Sequence, residues 1–117
     1  MFEKYEADVL CTEVPFVSFS PGGVIRLNAK MVNKYELNNY SFCFLYYDGD
    51  TDCVGIKPLK SYKKGSVRMT KRNCSGHTMT AKKFIMRMGL EVEGRYAKIK
   101  TKGEMIIVDL EGIKWVQ

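Results

Sequence analysis

Apolar and polar positions alternate in short stretches along the chain, and turn residues separate the stretches. Phe16-Val17-Ser18-Phe19 predicts a strand, Ser20-Pro21-Gly22-Gly23 supplies turn chemistry, and Val24-Ile25-Arg26-Leu27 predicts a second strand with apolar residues at alternate positions. Together they predict a hairpin. Asn28 has the side chain of an N-cap, and the spacing predicts a helix from Ala29 to about Leu37. Met31, Val32 and Tyr35 lie on one face of it and Lys30 and Lys34 on another. Ser41 to Tyr47 is aromatic-rich, as strands are, Asp48-Gly49 marks a tight turn, and Asp52 to Lys57 returns and stops before Pro58.

The same series then recurs. A shift of 53 residues sets Gly23 on Gly76, Lys30 on Lys83, Met31 on Phe84, Val32 on Ile85, Lys34 on Arg87 and Leu37 on Leu90. With one further residue inserted, Phe42 falls on Tyr96, Leu45 on Ile99, Gly49 on Gly103, Val54 on Val108 and Ile56 on Leu110. In this second copy Ser66 to Thr70 predicts a strand, Lys71 to Gly76 a connection and His77 to Thr80 the partner strand. A helix follows from near Ala81, with Phe84, Ile85 and Met88 on its apolar face. Arg95 to Lys100 predicts a strand, Lys102-Gly103 a turn, and Met105 to Leu110 a buried return strand. Pro58 to Gly65 reads as the linker between copies, and Ile113 to Val116 as a final edge strand. The expected fold is α+β and mostly β, built from two tandem ββαββ units, residues 1–58 and 59–117. Units this small bury too little surface to stand alone, so they are expected to pair as an intrachain pseudodimer, with further homo-oligomerisation open.

Charge divides the chain unevenly. Residues 1–58 hold five basic and eight acidic side chains, a net of −3, whereas residues 59–117 hold fourteen basic and five acidic, a net of +9. A basic half of this kind suits an anionic partner. At 117 residues, 45% of them apolar, the chain is sized for one core and not for a multidomain enzyme. No apolar run approaches the roughly 18 residues of a membrane span, and the opening Met1-Phe2-Glu3-Lys4 lacks the pattern of a secretory signal, which predicts a cytosolic protein. The four cysteines, Cys11, Cys43, Cys53 and Cys74, form no CxxC pair and are expected to be reduced thiols that mostly pack as small apolar residues.

The pattern Gly23-Val24-Ile25-Arg26-Leu27-Asn28 followed by Met31-Val32, with Met88-Gly89-Leu90 ending the second helix, resembles the swapped-hairpin AbrB fold of bacterial transcription regulators. The double copy looks more like MraZ-type proteins, which carry two such units in one chain. Their pattern is roughly Gly-Arg-Ile-x-Ile-Pro, then two residues and Leu-Arg, with a later Leu-Gly-Leu. The resemblance spans about Phe16 to Leu110 and implies a swapped-hairpin barrel and DNA binding. The family's first Arg is Val24 in one copy and His77 in the other, its Pro is Asn28 or Ala81, and its second Arg is Val32 or Ile85. What this sequence keeps is the apolar skeleton that specifies the fold.

Phosphates are neutralised by Lys and Arg, and bases are read by polar side chains. Candidates for that work are Arg68, Lys71, Arg72 and His77 around the second hairpin, Lys82 and Lys83 at the helix start, and Arg26, the one basic residue of the first hairpin. His77 is the single histidine, so any Ser-His-Asp or Cys-His mechanism would run through it. Cys74 lies three residues away, but a loop histidine is the plainer reading. Asp48, Asp50 and Asp52 alternate as at the start of an EF-hand loop, yet position twelve is Leu59 and the flanks are strands, so a solvated hairpin tip is expected. Tyr40, Phe42, Phe44 and Tyr46 share one strand face, expected to be core or subunit contact rather than a stacking surface.

No phosphate-binding glycine loop, cofactor or metal motif is present in the sequence, and an enzyme is not expected. The reading that follows is a small cytosolic DNA-binding protein whose basic second half meets duplex phosphates. The rival reading is a module that binds an acidic protein or an anionic ligand, of the kind a phage or mobile element would encode against a host factor.

Overall fold

In the computed structural model, which describes residues 14–72, 76–90 and 92–111 and the backbone of 114–115, the chain is mostly antiparallel β with two short helices. A six-stranded sheet runs in the order β11 (Lys114–Trp115), β8 (Gly94–Tyr96), β1 (Val17–Phe19), β2 (Val24–Leu27), β7 (Gly76–Thr80), β6 (Thr70–Arg72). A five-stranded sheet runs β5 (Val67–Arg68), β3 (Phe42–Asp48), β4 (Cys53–Leu59), β10 (Met105–Asp109), β9 (Ile99–Lys102). Helices α1 (Ala29–Lys34) and α2 (Lys82–Arg87) follow β2 and β7. Both sheets draw strands from both halves of the chain: β2 lies against β7 in one, and β4 against β10 in the other, with Val54 opposite Val108.

Strict alternation decides which face of β1, β2 and β10 is buried. Ile25 and Leu27 are fully enclosed while Arg26 between them is exposed, and the pattern repeats at Ile106 and Val108. Their side chains join Val17, Phe19, Met79, Val54 and Ile56 in one core between the sheets, where Cys43 Sγ lies 3.6 Å from Met79 Sδ. Each enclosed aliphatic side chain contributes about 1.5–3 kcal/mol.

Asn28 caps α1 and also ties down the chain before β1. Its Oδ1 accepts from the amides of Met31 and Phe16, both at 3.0 Å, and its Nδ2 donates to the Val14 carbonyl at 2.9 Å. The helix is shorter than the periodicity predicts. It ends at Lys34 because Glu36 turns left-handed (φ 54°), and Leu37–Asn39 forms a 3₁₀ turn that buries Leu37. At α2, Ala81 offers no side-chain cap. Phe84 and Ile85 are only half-buried, and the expected apolar-face residue Met88 is exposed.

Several strand boundaries also move. β4 runs through Pro58 to Leu59, which costs no sheet hydrogen bond to β10 because that pairing stops at Ile56. The expected strand at Ser66 to Thr70 is two, β5 in one sheet and β6 in the other, with buried Met69 at the crossing. Lys71 and Arg72 therefore belong to a strand and not to a connection, and Gly76 opens β7. Arg95 to Lys100 likewise divides: β8 pairs with β1, whereas β9 pairs with β10 and reaches Lys102, so the turn falls at Gly103-Glu104. Gly76 holds φ +88°, and a Cβ there would run into the Leu27 carbonyl oxygen, so only glycine lets β7 close on the end of β2. Of the predicted edge strand Ile113 to Val116, Lys114–Trp115 forms β11, and Ile113 and Val116 lie outside the described residues.

Candidate nucleic-acid interface

The outward face of the six-stranded sheet gathers basic groups from both halves of the chain. Register sets Arg95, Ser18, Arg26, Thr78 and Thr70 in one row across β8, β1, β2, β7 and β6. Arg72 lies on the same face, two residues beyond Thr70, and its Nε–H donates to Thr78 Oγ1 at 3.1 Å. Arg26 and Arg72 thus flank one threonine from neighbouring strands, and both are exposed. The guanidinium of Arg95 sits 5.0 Å from the centre of the Phe16 ring, which orients it from below. The described strands of this sheet carry Arg26, Lys71, Arg72, Arg95 and Lys114 and no carboxylate.

The seven candidates from the sequence separate in space. Arg26 and Arg72 come together as described. Lys71 points to the other side of β6, opposite His77. Lys82 and Lys83 are exposed at the start of α2, where the Lys82 backbone closes over Gly23. Arg68 belongs to the five-stranded sheet and covers the Phe42 ring at 5.2 Å.

His77 is no surface ligand. It is 1% exposed, and its Nε2–H donates to the Leu37 carbonyl at 3.0 Å, because a strand residue alternating with Gly76 and Thr78 must face inward. The residues that sequence reasoning missed are Arg95, Ser18, Thr70 and Thr78. Their only signal was strand alternation, and their grouping depends on which strands become neighbours.

On the inner side of β6, Lys71, Arg72, Gly76 and His77 line a pocket of about 210 Å³ with Ala29, Val32, Asn33 and Asn38. The Nδ1 of His77 is buried and has no hydrogen-bond partner among the described residues.

The acidic tip at Asp48 to Asp52 is a solvated turn. The Asp50 amide donates to Asp48 Oδ1, and the Tyr47 hydroxyl donates to Asp52 Oδ1 at 2.7 Å, which raises the Tyr47 pKa. Among the described residues no group of His, Cys, Asp or Glu side chains is arranged to hold a metal ion. Cys43 and Cys53 are free thiols, and burial pushes Cys43 up to about 12. Cys11 and Cys74 lie outside the described residues, so the Cys74–His77 pairing does too.

These features define a mostly β protein of two antiparallel sheets around one core, with a carboxylate-free basic face on one of them. Among the described residues no helix is long and apolar enough to cross a membrane. No protein-family model, curated protein or solved structure matches the chain.

Proposed function

We propose that the protein is a small, non-enzymatic, cytosolic DNA-binding protein of transcription-regulator type that contacts duplex phosphates with the outward face of its six-stranded sheet. The observation that carries this reading is the carboxylate-free row in which Arg26 and Arg72 flank Thr78. Arg26 and Arg72 are both exposed, and the exposed Thr70 hydroxyl in the same row adds a donor for phosphate oxygens. The scaffold is read as two ββαββ units, residues 1–58 and 59–117, interleaved as an AbrB/MraZ-like pseudodimer. The pairing of β2 with β7 and of β4 with β10, and the positive φ shared by Gly23 and Gly76, support that reading.

The test is fluorescence anisotropy of a random duplex pool at low and near-physiological salt. With Arg26 and Arg72 each neutralising a phosphate, log affinity falls against log salt with a slope of about −2. Arg26→Gln with Arg72→Gln flattens the slope by about 2, and Lys71→Gln, on the other side of β6, costs less. Equal affinity of the double variant and the parent, or no binding at low salt, rejects the proposal.

A second reading, binding of a small anionic ligand, is favoured by the pocket that Lys71 and His77 line, where the buried Nδ1 of His77 has no partner among the described residues. Titration with inorganic phosphate, read as shifts of the His77 ring resonances in the parent and in Lys71→Gln, tests it. Unmoved resonances dismiss it.

A further inference from the structure

On the five-stranded sheet Tyr40, Phe42, Phe44 and Tyr46 divide: Tyr40 packs against the core, one of the two places the pattern predicts, and the rest do not. Phe42, Phe44 and Tyr46 do not enter the core; they form the outward stripe of β3, and Cys43, Leu45 and Tyr47 go inward instead. The partner strands impose this choice. Leu45 lies opposite Ile56 and Tyr47 opposite Val54, and both of those are fully buried. Residues directly opposite one another share a face, so the aromatic positions in between are left outside.

The stripe is accessible. Tyr46 is 44% exposed and Tyr62, which meets Phe42 edge-on at 5.8 Å, is 66% exposed. Phe44 and Tyr46 have ring centres 6.4 Å apart, two residues along one strand. Next to Tyr46 its partner on β4 is Gly55, and the thioether of Met105 fills the space over that glycine.

A cation borders the stripe on each side: Arg68 stacks on Phe42 from β5, and Lys57 of β4 lies opposite Phe44. Lys100 and Lys102 project on the same face from β9, at the far edge of the sheet beyond β4 and β10, Lys100 opposite Ile107. Most acidic groups gather at one end, at Asp48 and Asp109 and the turn beyond them, and Glu104 stands at the other, in the β9–β10 turn.

We infer that this face is a binding platform for single-stranded nucleic acid, distinct from the duplex-binding face proposed for the other sheet. Aromatic rings in a row on an open sheet accept unstacked bases through their π faces, and flanking cations take the phosphates. Aliphatic side chains would serve an apolar protein contact equally well, whereas rings beside Lys57 and Arg68, with Lys100 and Lys102 farther along the same face, match the two components of a single strand, flat base and charged backbone. The acidic end repels phosphate and limits the strand to the half of the sheet away from the Asp48 to Asp52 turn.

The test is anisotropy of labelled oligo-dT and oligo-rU of about 12 nucleotides, a length within the usual site size, titrated with the full chain. Tyr46→Ala is expected to weaken binding roughly 5- to 100-fold, and Tyr46→Phe to keep it, because stacking needs the ring and not the hydroxyl. Tyr46 is exposed, so its loss leaves the core intact. Phe44→Ala adds a second reading at the neighbouring ring. The variant carrying Arg26→Gln and Arg72→Gln retains single-strand binding, which keeps this result apart from the duplex assay. A difference between dT and rU shows that the 2′-hydroxyl or the thymine methyl is read, and binding of either supports the inference. It is overturned if neither oligonucleotide binds at low salt or if Tyr46→Ala binds as tightly as the parent. It is also overturned if sedimentation shows that Tyr46→Ala dissolves a homodimer without changing nucleic-acid affinity, which would make a second copy the occupant.

Discussion

Replacing Asn28 by alanine removes one side chain that serves three backbone groups. Its Oδ1 accepts from the Met31 and Phe16 amides and its Nδ2 donates to the Val14 carbonyl. Loss of the helix cap costs about 1 kcal/mol. The Phe16 amide, bonded in a buried setting, loses an acceptor at a further cost of about 1–3 kcal/mol. The Val14 carbonyl belongs to an exposed residue and turns to water, so it adds little. The expected total is about 2–4 kcal/mol, a large part of the roughly 5–15 kcal/mol that holds a domain folded.

Urea unfolding followed by circular dichroism measures this as a lower midpoint at unchanged slope. The thermal midpoint falls by roughly 10 °C. Asn28→Asp retains the oxygen that both amides need and adds negative charge at a helix N-terminus, so its cost stays near about 1 kcal/mol. A loss below about 0.5 kcal/mol for Asn28→Ala, the range of an ordinary surface substitution, would refute the reasoning. So would equal losses for the two variants, since the effect would then come from packing and not from the acceptor.

Three further outcomes follow from the same geometry. Gly76→Ala sets a Cβ against the Leu27 carbonyl at positive φ and is expected to cost about 3 kcal/mol or more, whereas Gly89→Ala, with positive φ but open space, costs about 1–2 kcal/mol; similar urea midpoints for the two would contradict the close approach. Mass-spectrometric alkylation of the native protein at pH 8 is expected to label Cys53 and spare Cys43, whose thiol burial pushes up to about 12, and comparable labelling at Cys43 would show that the core opens there. The Asp109 carboxyl is held below its ordinary value by the hydrogen bond from the Glu111 amide and, after that, by Lys98, whose ammonium stands 3.3 Å away. A lowered folded-state pKa stabilises above about pH 4 and loses that contribution as pH falls through the folded value. Asp109→Asn is therefore less stable than the parent at pH 7, with the gap closing toward pH 3; a gap independent of pH would exclude the charge as its source.

Local chemistry was legible wherever one face of a segment is plainly apolar or one side chain has a single good role. The alternation of Ile25 and Leu27 around Arg26, the turn at Ser20 to Gly23 and the cap at Asn28 belong to that kind, because each depends on residues close in sequence. The strand at Phe42 to Tyr47 could not be oriented that way: both of its faces are apolar, so periodicity alone does not choose between them. The deciding groups are Val54 and Ile56, which pairing across the hairpin sets opposite Tyr47 and Leu45.

The same holds for the basic residues. Their number in the second half was apparent from composition, but Arg26 and Arg72 become neighbours only because β2 and β6 both pair with β7, and Arg95 joins them only because β8 leaves β9 for the edge of β1. His77 shows the limit from the other side, since a histidine beside glycine reads as a loop residue until alternation along a central strand turns it into the core. Sequence by itself determined the first hairpin, its turn and the cap, whose energies are local. Which faces point outward, and which charges share them, was decided only when distant strands paired, because a strand carries two faces and only its neighbours determine which one meets water.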